Sequence, residues 1–112
     1  MTYQPYQRPP PPPPVPPGDG AWFVAVEFSN QGQAKPPTVV QIGSTPYDDR
    51  EQALAAARLA AFRFQPPDPW SPEARRVYAD GPDGFLVMIK GATSVFHLRV
   101  RIVRSISDPE LR

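Results

Sequence analysis

The chain has 112 residues, with 12 Lys and Arg against 11 Asp and Glu for a net charge of +1, no cysteine, and a single histidine, His97. The missing cysteines exclude disulfides, thiolate nucleophiles and Cys-ligated metal sites, and one histidine excludes His-pair zinc motifs, so no metal and no other cofactor is expected. Near-neutral charge excludes a global field toward nucleic acid or anionic lipid, and no apolar run reaches the length of a membrane span or a signal peptide, so a cytoplasmic protein is the expectation.

Nine of the 18 prolines fall within residues 1–17, in a run from Pro9 to Pro17 broken only by Val15 and followed by Gly18-Asp19-Gly20. Each ring fixes φ near the polyproline II value and removes a backbone donor, so residues 1–20 read as an extended, disordered arm. About ninety residues remain, enough for one domain with one core, taken as 21–105. The end, 106–112, reads as frayed. Ten of the basic residues are Arg and only Lys35 and Lys90 are Lys, as the codon usage of a GC-rich bacterial genome would produce.

Trp22, Val24, Val26 and Phe28 alternate with Phe23, Ala25 and Glu27, which predicts a strand. After a polar stretch broken by Gly32 and Pro36-Pro37, the β-branched run Thr38 to Gly43 predicts a second strand, paired with the first through a long loop. A helix follows over Glu51–Phe64. Asp48 is its expected N-cap, Glu51 the reciprocal half of a capping box, and Pro66-Pro67 the stop. At 100° per residue Leu54, Ala57, Ala61 and Phe64 form one apolar stripe, and Ala55, Leu59 and Phe62 form another. One stripe suffices to dock on a sheet. The second calls for another cover, either the Pro66–Pro72 segment with Trp70 folding back or a second copy of the protein.

Ser71-Pro72-Glu73 has the form of an N-cap with proline at the first helical position, so a helical turn is expected at 72–75, passing into a strand at 76–80. The turn formers Asp80-Gly81-Pro82-Asp83-Gly84 lead into the apolar run Phe85 to Lys90, another strand. In the last strand Phe96, Leu98, Val100 and Ile102 face one way and His97, Arg99 and Arg101 the other, the signature of a sheet with one buried face.

The fold expected is therefore α+β: one antiparallel sheet of about five strands, in the order β-β-α-β-β-β, with the long helix across one face. The helix-facing set is Trp22, Val24, Val26, Phe28, Val40, Ile42, Phe85, Val87, Ile89, Phe96, Leu98, Val100 and Ile102. The other face is expected to show Phe23, Val39, Leu86, Met88, His97, Arg99 and Arg101.

No catalytic residues are assigned. The aspartates sit in turns and caps, His97 projects from mid-strand, and there is no nucleophile elbow, P-loop or dinucleotide fingerprint. Three readings of function remain. The first is a small non-enzymatic protein-interaction module or adaptor. Its polyproline arm acts as docking peptide or spacer, Arg8, Pro11 and Pro14 having basic-x-x-Pro-x-x-Pro spacing, and Ala55, Leu59 and Phe62 form an apolar face for a protein partner or a homodimer. The second is a nucleic-acid-binding domain using Phe23, His97, Arg99 and Arg101. It ranks lower, since alternating Arg more often marks a solvated face or guards a sheet edge. The third is a small-ligand binder or motif-less enzyme with a pocket between sheet, helix and Trp70. No membrane partner is expected.

Overall fold

Alternating, β-branched and continuous apolar runs supply five strands, and the computed structural model, which describes residues 18–29, 37–67 and 71–107, joins them in one sheet. The strands are β1 (Trp22–Ser29), β2 (Thr38–Ile42), β3 (Ala74–Ala79), β4 (Gly84–Lys90) and β5 (Val95–Arg104), and among the described residues a single helix, α1 (Arg50–Arg63), separates β2 from β3. Their order is β2-β1-β5-β4-β3, with every pair antiparallel. The last strand thus lies between the first and the fourth, at the centre of the sheet. The fold is α+β, as the pattern implies.

Helix α1 crosses β1, β5 and β4 on one face. It approaches through Ala53, Ala57 and Ala61, spaced by four and fully buried, over Val26, Phe28, Val87, Ile89, Leu98, Val100 and Ile102. Methyl side chains allow a close approach of helix to sheet, and the larger Leu54 and Phe64 pack at the margins, Phe64 with its ring centroid 5.6 Å from that of Phe28. The expected helical stripe is therefore rotated slightly, with Ala53 joining Ala57 and Ala61 at its centre.

The N-cap lies one residue later than the capping-box reading, and the helix runs Arg50–Arg63, one residue earlier at each end than the expected Glu51–Phe64. Asp49, not Asp48, is the N-cap: its Oδ1 accepts from the Glu51 backbone N–H at 3.0 Å, and its carbonyl accepts from Ala53 N–H at 3.1 Å. Tyr47 is held back from the helix by a reciprocal backbone pairing with Trp22 and packs against the core. Asp49→Ala is accordingly expected to cost about 1 kcal/mol, and Asp48→Ala less than about 0.5 kcal/mol, read from urea midpoints. Equal losses would overturn the assignment of the cap.

The helical turn expected at 72–75 is absent. Ala74 and Arg75 already belong to β3, opposite Lys90 and Ile89. The reason is Arg75, whose guanidinium points inward and donates to the carbonyls of Ala61, at 2.9 Å, and Phe64. These carbonyls at the helix end have no intrahelical donor of their own, and a cation there also meets the negative end of the helix dipole. Burial lowers the Arg75 pKa from its usual value without discharging it. Capping from a neighbouring strand outweighs the local Ser-Pro-Glu signal.

Strand β2 is also inverted relative to expectation. Phe28 registers with Val39 and Glu27 with Val40, so Val39 faces the helix while Val40 and Ile42 are half-exposed on the other side. Adjacent valines satisfy either phase of the alternation, and on an edge strand the register is set by the partner.

Both ends of the described chain meet at one end of the sheet. Asp19 and Gly20 N–H donate to the Ser105 carbonyl at 3.1 and 3.3 Å, and the Asp19 carboxylate accepts from the backbone N–H and hydroxyl of Ser107 at 3.1 and 3.0 Å. A Cβ at Gly18 would lie 2.6 Å from the Ser105 carbonyl oxygen, so only glycine fits that approach. The hydrogen-bonded segment thus begins within what composition assigns to the arm. The Ser107 hydrogen bonds hold the Asp19 carboxyl below its usual value of 3.8. Because the folded pKa is depressed, the stabilisation is complete above the usual value and is lost as pH falls through the folded one. In an NMR titration the Ser107 amide is expected to shift with a midpoint below 3.8. A midpoint at or above it would show that the pairing does not persist in solution.

Candidate functional site

The helix covers one face of the sheet, and among the described residues no element covers the other. Its composition follows from strand parity. β5 contributes His97, Arg99 and Arg101, all exposed, from the centre of the sheet. On one side β1 contributes Phe23, Ala25, Glu27 and Ser29, with Val40 and Ile42 beyond on β2; on the other, β4 contributes Leu86, Met88 and Lys90, with Arg76 and Tyr78 beyond on β3. The edge-guard role weighed for the alternating Arg strand is therefore excluded, since β5 has a partner on each side.

Charge is unevenly distributed between the faces. On the open face Arg76, Lys90, Arg99 and Arg101 meet one carboxylate, Glu27. The rest of the described chain is net acidic, its carboxylates concentrated at the helix start and the β3–β4 turn. Arg50 bridges these two acidic segments, pairing with Asp83 and donating to the Pro82 carbonyl at 3.0 Å. A local positive field therefore exists within a nearly neutral molecule.

Arg101 lies in a row with Ile42, Ala25 and Gly84, where small neighbours leave room for its side chain, and its guanidinium stands 3.5 Å from Glu27 Oε1. Arg99, one repeat along, has no ion-pair partner among the described residues. It borders two hollows. One, of about 430 Å³, is lined by Glu27, Phe28, Ser29, Thr38, His97 and Arg99. The other, of about 160 Å³, lies where Gly84 has no side chain, between Asp80, Asp83, Arg99 and Arg101. A further hollow of about 310 Å³ opens beside Met88, among Arg76, Lys90 and Val95.

The sequence-predicted residues separate into distinct places. Phe23 shares the open face with His97, Arg99 and Arg101, but lies at the far end of β1, opposite Val103. Arg104 is on the other face, its guanidinium 5.4 Å from the Trp22 ring centroid. Ala55, Leu59 and Phe62 form an exposed stripe on the outer surface of α1, where the Arg58 guanidinium stands 5.7 Å from the Phe62 ring centroid. Trp70, the expected intramolecular cover, and Arg8, Pro11 and Pro14 of the arm lie outside the described residues. Between β1 and α1, among the described residues, lies a hollow of about 200 Å³ beside Tyr47 and Ala56, smaller than usual ligand pockets.

Sequence reasoning missed Arg76, Tyr78, Lys90, Val40 and Ile42 as members of this face. Arg76 and Tyr78 were legible in the alternation with Arg75 and Val77 once β3 is extended back to Ala74; β2 carried no such signal.

No helix among the described residues is long and apolar enough to cross a membrane, and no group of three His, Asp or Glu among them is placed to hold a metal ion. Compared with known protein families, curated proteins and solved structures, the chain matches none.

Proposed function

We propose that the chain is a non-enzymatic protein-binding module whose docking surface is the open face of the sheet. The observation that carries this reading is the mixture on that face: Arg99, Arg101 and Arg76 interleaved with Leu86, Met88 and Tyr78, uncovered among the described residues. Arginine, methionine and aromatic side chains are enriched at protein interfaces, while Lys90, Glu27, Ser29, Ala25 and Ala74 on this face belong to the depleted types. The outer helix stripe of Leu59 and Phe62 is a smaller secondary surface. The arm, leaving from the end of the sheet where Gly18 meets Ser105, has the composition of a docking peptide or stiff spacer.

The test is retention from native lysate by the immobilised full chain, with and without nuclease, compared with Leu86→Asp and Met88→Asp. The expected result is a nuclease-insensitive partner lost with both substitutions. Retention unchanged by both would overturn the reading. A nucleic-acid surface is the second reading, supported by the central position of the Arg strand. It predicts retention that nuclease abolishes, and an affinity that falls steeply with salt and weakens in Arg99→Ala and Arg101→Ala together.

A further inference from the structure

Resting on the protein-binding reading above, we propose that the partner segment is acidic, carries carboxylates beside aliphatic side chains, and lies across the strands at the Ser29 and Lys90 end of the open face. The row Thr38, Ser29, His97, Met88 and Arg76 crosses all five strands at this end, and the two larger hollows flank it, one on the β1–β2 side and one on the β3–β4 side. Four interstrand spacings make the row about 19 Å wide, the reach of roughly six extended residues.

Charge identifies the occupant's sign. Arg99 and Lys90 border separate hollows, with Arg76 beside Lys90, and Arg99 has no carboxylate within salt-bridge distance among the described residues. Glu27, the one carboxylate lining the hollows at this end, is engaged by Arg101, and Asp80 and Asp83 border the separate hollow at the Gly84 end. Met88 and Val95 supply apolar surface between the cations, which bare polyanion recognition does not use. A second copy docking face to face would set these cations against their own like, which opposes association. A nucleic acid would find a single ring in the row, the His97 imidazole: Phe23 is at the other end of β1, and Tyr78 is on the edge strand opposite Leu86. Base stacking beside the phosphate-binding cations is therefore confined to one imidazole, short of the two or three rings that sheet-based readers use.

The experiment uses the full chain, 15N-labelled, titrated to millimolar concentration with the blocked peptide Glu-Glu-Leu-Leu-Glu-Glu. Lys-Lys-Leu-Leu-Lys-Lys, hexaglutamate and an oligothymidylate serve as comparison probes. The expected result is amide shifts at Ser29, Thr38, His97, Arg99, Met88 and Lys90 with the first peptide, absent with the lysine peptide and weaker with hexaglutamate. Arg99→Glu and Lys90→Glu are each expected to weaken binding at least ten-fold while leaving the remaining spectrum dispersed. The same peptide is expected to displace the protein retained from lysate. No shifts, shifts confined to the Leu59 and Phe62 stripe, equal response to hexaglutamate, or tighter binding of the oligonucleotide would each overturn the proposal. If Leu86→Asp still abolishes retention while the acidic peptide neither shifts these amides nor displaces the partner, the partner's chemistry is wrong and the docking face stands. If the face substitutions change nothing, both fall.

Discussion

Leu98→Ala is expected to destabilise the protein by about 3–4 kcal/mol, the upper part of the range for truncating a fully buried leucine. Leu98 is completely buried on the central strand, registering with Phe28 on one side and Val87 on the other, under the helix. Loss of its side chain removes the transfer free energy of the buried methyl and methylene groups and leaves a cavity. Strands held on both sides and a helix already in close contact through alanines cannot collapse to fill it. A domain of about ninety residues has roughly 5–13 kcal/mol in total, so from about a quarter to about four fifths of the stability disappears and the melting temperature falls by roughly 15–25 °C. Leu59→Ala, on the half-exposed outer stripe of the helix, is the internal comparison and is expected to change stability by less than about 0.5 kcal/mol. Urea and thermal unfolding of the two variants measure this directly. Similar losses for both would mean that the helix presents a different face to the sheet.

Arg75→Met has the second-largest expected effect, about 3 kcal/mol. The guanidinium donates to two carbonyls at the end of α1, and hydrogen bonds from a charged group contribute about 1.5–3 kcal/mol each. Methionine retains the apolar stem and orphans both acceptors in a partly buried site. Arg75→Lys is expected to recover less than half, because a single ammonium lacks the planar fork that reaches two carbonyls together. Its neighbour Arg76 faces the open side of the sheet opposite Met88, so Arg76→Ala should fall within about 0.5 kcal/mol of the parent. Hydrogen exchange adds a second readout, since the last-turn amides of α1 should lose protection in Arg75→Met and keep it in Arg76→Ala. Equal effects at the two positions would contradict the β3 register and restore a helical turn at 72–75.

The register also governs the functional argument. Had β5 lain at an edge, His97, Arg99 and Arg101 would read as a guard against strand addition. At the centre, between β1 and β4, they form the middle of a surface five strands wide. The charge separation has the same origin. Parity assigns Arg76, Lys90, Arg99 and Arg101 to one side, and the turn and cap carboxylates fall elsewhere because Asp and Glu are selected there for backbone geometry.

Much of the architecture was legible one residue at a time. The strict alternation of β1 and β5 commits each to a half-buried strand, the Ala- and Leu-rich segment between Asp49 and Pro66 commits to a helix, and the turn formers before Gly84 close the β3–β4 hairpin, Gly81 adopting φ of +72° there. Local periodicity determines these because it depends only on which side chains share a face. The candidate site was legible in part, through the three polar positions of β5, Leu86 and Met88 of β4, and Phe23.

Other features were decided only by the tertiary structure. The inversion of β2, the cap at Asp49, the recruitment of Ala74 and Arg75 into β3 and the central position of β5 each depend on a partner distant in sequence: Phe28 opposite Val39, Trp22 paired with Tyr47, the helix carbonyls over Arg75, and β1 beside β5. Sequence by itself determined the long helix, the strands other than the start of β3, and the polarity of β1, β4 and β5, because those follow from side-chain spacing along one strand or helix. Strand order, edge register and the gathering of the cations on one surface were left to folding, because they follow from which backbones pair.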